Sequence, residues 1–169
     1  MIERSILATD LALHFKDAPA VSAMATDVHQ LPDLLAQRVS GNLQDKQLLQ
    51  AAMMTTADLG AATKPWEVHR YVSQLIADEF WTQGDLERRE LNIQPQPMFD
   101  RTVALEVVQI EFLDNLCLPL YDDMAKFSSA LKPLLDGCLS NRRQWAAQAR
   151  EKANSSSQKG QESEQSRKL

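Results

Sequence analysis

The stretch TTADLGAATKPW, Thr55 to Trp66, carries one carboxylate, Asp58, among small and apolar neighbours. A carboxylate taken out of water needs a cation or several hydrogen-bond donors. No Arg, Lys or His lies within five residues of Asp58, and Lys64 is the nearest. Three readings stay open: a partner from elsewhere in space, a metal ion, or a solvated residue at a helix end. A second pair is Gln109 and Phe112 in VQIEF. Three residues apart on a helix, they share a face. An amide offers both donor and acceptor, and a phenyl ring offers a flat apolar surface. Taken alone, the two read as a surface residue and a core residue.

The elements that must position these groups are helical. Apolar residues recur at helical spacing almost throughout, with no convincing strand alternation, so the chain reads as all-α. Leu7, Leu11 and Phe15 mark a first segment. Asn42 or Asp45 can cap a helix with Leu48, Leu49, Ala52 and Met53 inward, ending near Asp58-Leu59-Gly60. Pro65 suits the first turn of the next helix. Val68, Val72, Leu75, Ile76 and Phe80 give that helix its expected core stripe, and Gly84 weakens its end. Asn92 to Arg101, with two prolines, reads as an irregular connector. A helix from about Val103 to Met124 carries Val108, Phe112, Leu116 and Tyr121, with Pro119 as a kink or break. The last helix is expected over 131–150, with Leu134, Leu135, Cys138 and Trp145 inward. Residues 151–169 are polar and mixed in charge, and read as a disordered tail after a folded region at 1–150.

With 169 residues the chain is long enough for one moderate core. A net charge of −5 disfavours nucleic acid as a partner. No apolar run reaches the length of a membrane span. The start, MIERSILATD, has no signal-peptide core. The two cysteines form no disulfide framework, so a cytoplasmic setting is the default.

Several stretches together resemble one family. SILATDLALHF, MMTTADLGAATKPW, EFWTQGDLERRELNIQPQPMFDR, QIEFLDNLCLPLY and LLDGCLSNRRQW are similar, in the family's order, to the C-terminal part of a class I cyclic-nucleotide phosphodiesterase catalytic domain. The likeness is to the animal branch with GAF regulatory domains, which includes cGMP-specific and dual-specificity enzymes. It covers roughly residues 2–145 and is weak between Lys16 and Gln47. The resemblance implies a compact all-helical fold that hydrolyses cAMP or cGMP to the 5′-monophosphate. It implies two divalent cations, zinc and magnesium, that activate a water and clamp the phosphate. Asp58 matches a metal-ligating aspartate. Thr9, in LATDL, matches a residue that binds a metal-coordinated water, while Asp10 reads equally as a surface charge. Gln109 matches the glutamine that hydrogen-bonds the purine edge, and Phe112 the ring that stacks on the base. Ile76, Ala77, Phe80, Met98, Leu105 and Val108 match pocket walls. Full-length members often dimerise.

Departures from the pattern matter as much. The family's H-N-x-x-H and H-D-x-x-H motifs, which supply most metal ligands and the general-acid histidine, do not occur in this chain. The chain starts inside what matches a mid-domain helix. The K-D-E-[LI]-P step before the glutamine helix is replaced by TVALEVV. His69, flanked by Glu67 and Arg70, reads as exposed; His14 and His29 suggest no role. Alone, the chain is expected to be catalytically inactive, and the competing expectation is a non-catalytic helical interaction module.

Overall fold

The computed structural model describes residues 6–31 and 34–166, with side chains to residue 155. Ser5, which opens the first family-like motif, and residues 2–4, where the likeness begins, lie outside these residues. The described residues form helices and turns with no strand. In order they are α1 (Leu11–Gln30), α2 (Leu34–Gly41), α3 (Leu43–Asp58), a 3₁₀ turn (Gly60–Thr63) and α4 (Trp66–Leu86). A π turn (Glu87–Leu91) and a 3₁₀ turn (Pro97–Phe99) follow, then α5 (Leu105–Phe112), a π turn (Leu113–Cys117) and α6 (Leu118–Phe127). A last 3₁₀ turn (Ser129–Leu131) leads into α7 (Lys132–Ser166).

Local chemistry sets the helix starts. The Asp10 carboxylate caps α1 by accepting from the Ala12 N–H at 2.9 Å. The Asn42 side chain caps α3, accepting from Gln44 N–H at 2.9 Å and Asp45 N–H at 3.4 Å. α1 runs straight through Pro19, whose missing N–H leaves the Phe15 carbonyl without its helical donor. Asn92 ends the segment after α4 in the left-handed region, φ 52°, a conformation that Asn tolerates better than most side chains.

Two core clusters flank the continuous α5–α6 rod. On one side Val21, Met24, Ala25 and Val28 of α1 meet Ala52 of α3 and Leu120, Met124 and Phe127 of α6. On the other, Leu113, Cys117 and Tyr121 meet Ala62, Cys138 and Trp145, with Trp66, Leu105 and Phe112 packed around them. Both thiols are free and buried. The hydrogen bond with Cys138 and burial together push the Cys117 thiol far above its ordinary range, so it is an inert core residue. Where Pro119 suggests a kink or break, the rod instead widens into a π turn just before it.

Several expectations are corrected here. The apolar stripe of α4 is only partly core: Val68, Leu75 and Ile76 are 44–50 % exposed, while Val72 and Phe80 are half-buried. α4 buries its other face, His69, Ser73, Ala77 and Gly84. Small side chains let it approach its neighbours closely, and packing distance outweighs side-chain hydrophobicity there. Leu7, Phe15 and Met53 are also exposed. Gly84 does not weaken the helix end. It is where α4 meets the Pro97–Phe99 turn, and a Cβ there would overlap the Phe99 carbonyl. The connector is ordered by Asp100, which accepts from Arg88 (2.9 Å), Gln94 (3.2 Å), and the Thr102 N–H (2.9 Å) and hydroxyl (2.8 Å). The bonds from Thr102, followed by the Arg88 guanidinium, hold this carboxyl below its usual range. α7 runs from Lys132 to Ser166, past the end expected for the last helix at 150. The stretch 151–166 has neither proline nor a β-branched residue, and its Glu, Lys and Gln offset the weaker helix formers, five serines and Gly160.

Gly84→Ala is therefore expected to destabilise the chain by about 1–3 kcal/mol through overpacking against backbone. Gly41→Ala, with open space around the position, is expected to have no such effect. Chemical denaturation midpoints of the two variants against the parent check this.

Candidate functional site

Asp58 is the last residue of α3 and its side chain is exposed. Its carboxylate has no hydrogen bond or ion pair with another described residue. The turn behind it is held rigidly. Tyr121 OH donates to the Thr56 carbonyl at 3.1 Å, in the last turn of α3. Asn141 Nδ2 donates to the carbonyls of Ala62 (2.9 Å) and Lys64 (2.8 Å). The Thr63 carbonyl packs on Gly137 of α7 so closely that a Cβ would collide with it. A helix end leaves backbone carbonyls without intrahelical partners, and here three later helices satisfy them.

His69 completes that clamp, contrary to its expected exposure. It is 2 % exposed, with Nδ1 3.1 Å from the Ala61 carbonyl and Nε2 2.8 Å from Trp145 Nε1. Indole N–H only donates, so Nε2 accepts and Nδ1–H donates to Ala61. The ring is thus the neutral Nδ1–H tautomer. Burial lowers its pKa from the ordinary 6.5, opposed by the smaller effect of the Ala61 hydrogen bond. Trp66 packs edge-on against Trp145, with ring centroids 5.0 Å apart.

The two motifs bearing Thr9 and Asp58 come together. Thr55 Oγ1 donates to the Ala8 carbonyl at 2.8 Å, a buried bond across 47 residues. Thr9 itself is half-buried, and its hydroxyl donates to the Ile6 carbonyl at 2.8 Å. Asp10 serves as the α1 cap.

The other candidates gather on α4, α5 and the Pro97–Phe99 turn. Gln109 is half-buried, and its Oε1 accepts from Ser73 Oγ at 3.1 Å, tying α5 to α4. Ala77, one turn beyond Ser73, is buried, while Ile76 beside it is exposed. Phe80 packs on Phe99 with centroids 4.8 Å apart, and Met98 is half-buried in the same turn. Leu105 and Phe112 pack against the second core cluster, and Val108 is half-buried between them in sequence. Ser73, Asn141 and the buried His69–Trp145 pair were not found from sequence. A pattern of small residues at Ser73, Ala77 and Gly84 was the available signal.

Among the described residues no group of three or more His, Cys, Asp or Glu gathers as a metal site. Asp58 could give a metal one oxygen ligand, whereas a zinc ion takes about four. The described residues therefore do not by themselves fit a metal centre. No helix among them is long and apolar enough to cross a membrane.

A family model described as 3′5′-cyclic nucleotide phosphodiesterase matches residues 1–138. The chain is 39% identical, over 155 residues, to the alpha subunit of rod cGMP-specific 3′,5′-cyclic phosphodiesterase from Bos taurus and from Homo sapiens. It has the same identity to the cone alpha′ subunit from Mus musculus. In each case the match covers 89% of this chain and 18% of the relative, so the chain spans less than a fifth of the relatives' length.

The His69 clamp predicts a pH dependence. Unfolded, the imidazole takes up a proton near pH 6.5; folded, only at lower pH. As pH falls through 6.5 the unfolded state binds more protons, so stability is full above that value and declines below it. Trp145→Phe is expected to cost about 1–3 kcal/mol at neutral pH by orphaning Nε2. His69→Gln is expected to flatten the decline relative to the parent between pH 7.5 and 5.5. Denaturation midpoints across that range check both.

Proposed function

Because the chain belongs to the 3′5′-cyclic nucleotide phosphodiesterase family, we propose that it forms the base-binding side of such a catalytic site and supplies one of its metal ligands. The substrate is a 3′,5′-cyclic nucleotide, with cGMP first, as the relatives' descriptions name it. The observation that carries this reading is the contrast around Asp58. The carbonyls of Thr56, Ala62 and Lys64 around it are hydrogen-bonded, yet its own carboxylate has no partner among the described residues. An exposed carboxylate at the edge of a held turn, unpaired among the described residues, is suited to a cation, with the remaining ligands coming from outside the described residues.

Gln109 and Phe112 would meet the purine, Gln109 through its amide edge and Phe112 through its ring face. Ala77, Phe80, Met98, Leu105, Val108 and Ile76 would line the surrounding wall. Thr9 would act on water near the metal. When bound, zinc and magnesium supply an activated water and charge neutralisation at the phosphate. Binding the base and holding one ligand are this chain's own share. A cytoplasmic setting and dimerisation belong to the same reading. A second reading, a helical interaction module, has one observation in its favour: the exposed part of the apolar stripe of α4.

Two variants test the proposal in a protein that joins this chain to the family's two histidine motifs. Asp58→Ala is expected to abolish release of 5′-monophosphate and to lower bound metal together, with folding retained. Full metal content and normal turnover would remove Asp58 from the site. Gln109→Ala is expected to raise KM more than it lowers kcat, since base contacts act largely as uniform binding. Loss of one buried amide bond corresponds to about 1–3 kcal/mol in kcat/KM. An unchanged KM for both cAMP and cGMP would show that Gln109 does not read the base.

A further inference from the structure

Glu106, in the first turn of α5, is 4 % exposed, a rare place for a carboxylate without a partner. Its Oε1 pairs with Lys152 Nζ, while Oε2 has no hydrogen-bond partner. Lys152 stands on α7, beyond residue 138, where the family match ends. Its side chain is 69 % exposed, so the pair reaches from the interior to the surface. The positive end of the α5 dipole favours a negative charge at this position but does not replace a counter-charge for a buried group. Without Lys152, Glu106 must either leave the interior or be neutralised, and either change loosens the first turn of α5.

Gln109 lies three residues on, about one turn along the same short helix. On its other side α5 is tied to α4 by the Ser73–Gln109 hydrogen bond. The helix is thus held from two directions: by an uncharged bond to α4 and by an ion pair to α7. Resting on the reading that Gln109 meets the base, we propose that Lys152 is a positioning residue for Gln109. It anchors Glu106, fixes α5 against α7, and makes the part of α7 beyond the family-matched region a determinant of nucleotide affinity. Arg142 and Asp114 join α7 to the rod independently by a two-bond ion pair (3.0 and 2.8 Å), so loss of Lys152 leaves α7 docked.

The test compares Lys152→Gln, Lys152→Arg and the parent 169-residue chain by amide hydrogen exchange, read by NMR without nucleotide. In Lys152→Gln the amides of Gln109 to Phe112 are expected to exchange about tenfold faster, with those of α1 and α3 unchanged. Lys152→Arg is expected to restore protection. Unchanged exchange in α5, or equal acceleration in all helices, would overturn the proposal. Titration of the parent chain with cGMP, following the Gln109 side-chain amide resonance, examines the base reading separately. An unmoved resonance would overturn that reading while the exchange data still decide whether Lys152 anchors α5.

Discussion

The carbonyl groups at the end of α3 and in the turn after it are the constraint on which the rest depends. A helix that stops at Asp58 and turns within a few residues leaves acceptors that solvent cannot easily reach. His69, Tyr121 and Asn141, from three helices far apart in sequence, satisfy them. Each donor is buried, so each would cost free energy if its acceptor moved. The arrangement fixes the turn from behind and fixes the helices to one another. Asp58 stands at the edge of this network and outside it, its carboxylate without a partner among the described residues.

The same economy recurs at the second half of the site. Gln109 is not held by its own helix, which is only eight residues long, but by Ser73 across to α4. The Pro97–Phe99 turn is not held by its prolines alone but by Asp100 and its four bonds. Ser73 stands on α4, Asp100's partners stand on the π turn after it and within the connector itself, and the Pro97–Phe99 turn also packs on Gly84 of α4. α4 serves as the common support, and its small-residue face makes that close support possible.

Much of this was legible in the sequence, and the failures have a common cause. The all-helical class, the stop at Asp58-Leu59-Gly60 and the inward Cys138 and Trp145 follow from periodicity and from glycine chemistry. The order of the family-like motifs points to the same family whose model matches residues 1–138. The α4 face was partly misread because hydrophobic pattern reports which side chains gain from burial, not which ones find a neighbour. His69 was misread because its flanking charges describe the helix surface, whereas its ring points to the opposite face. Its partners, Ala61 and Trp145, lie 8 and 76 residues away. Spacing within one helix carries no information about either.

The π turn at Leu113–Cys117 has a consequence for phase. A wider turn accommodates one more residue than an α turn before the helix resumes. The face carrying Gln109 and Phe112 and the face carrying Tyr121, Met124 and Phe127 therefore follow different rotational settings on one unbroken rod. The widened turn works like the offset scale of a vernier: the two ends of the rod are read against different neighbours without a break between them. A single-residue deletion in that turn would leave a better α-helix and a worse protein. It would rotate Tyr121 away from the Thr56 carbonyl while Gln109 stayed in place.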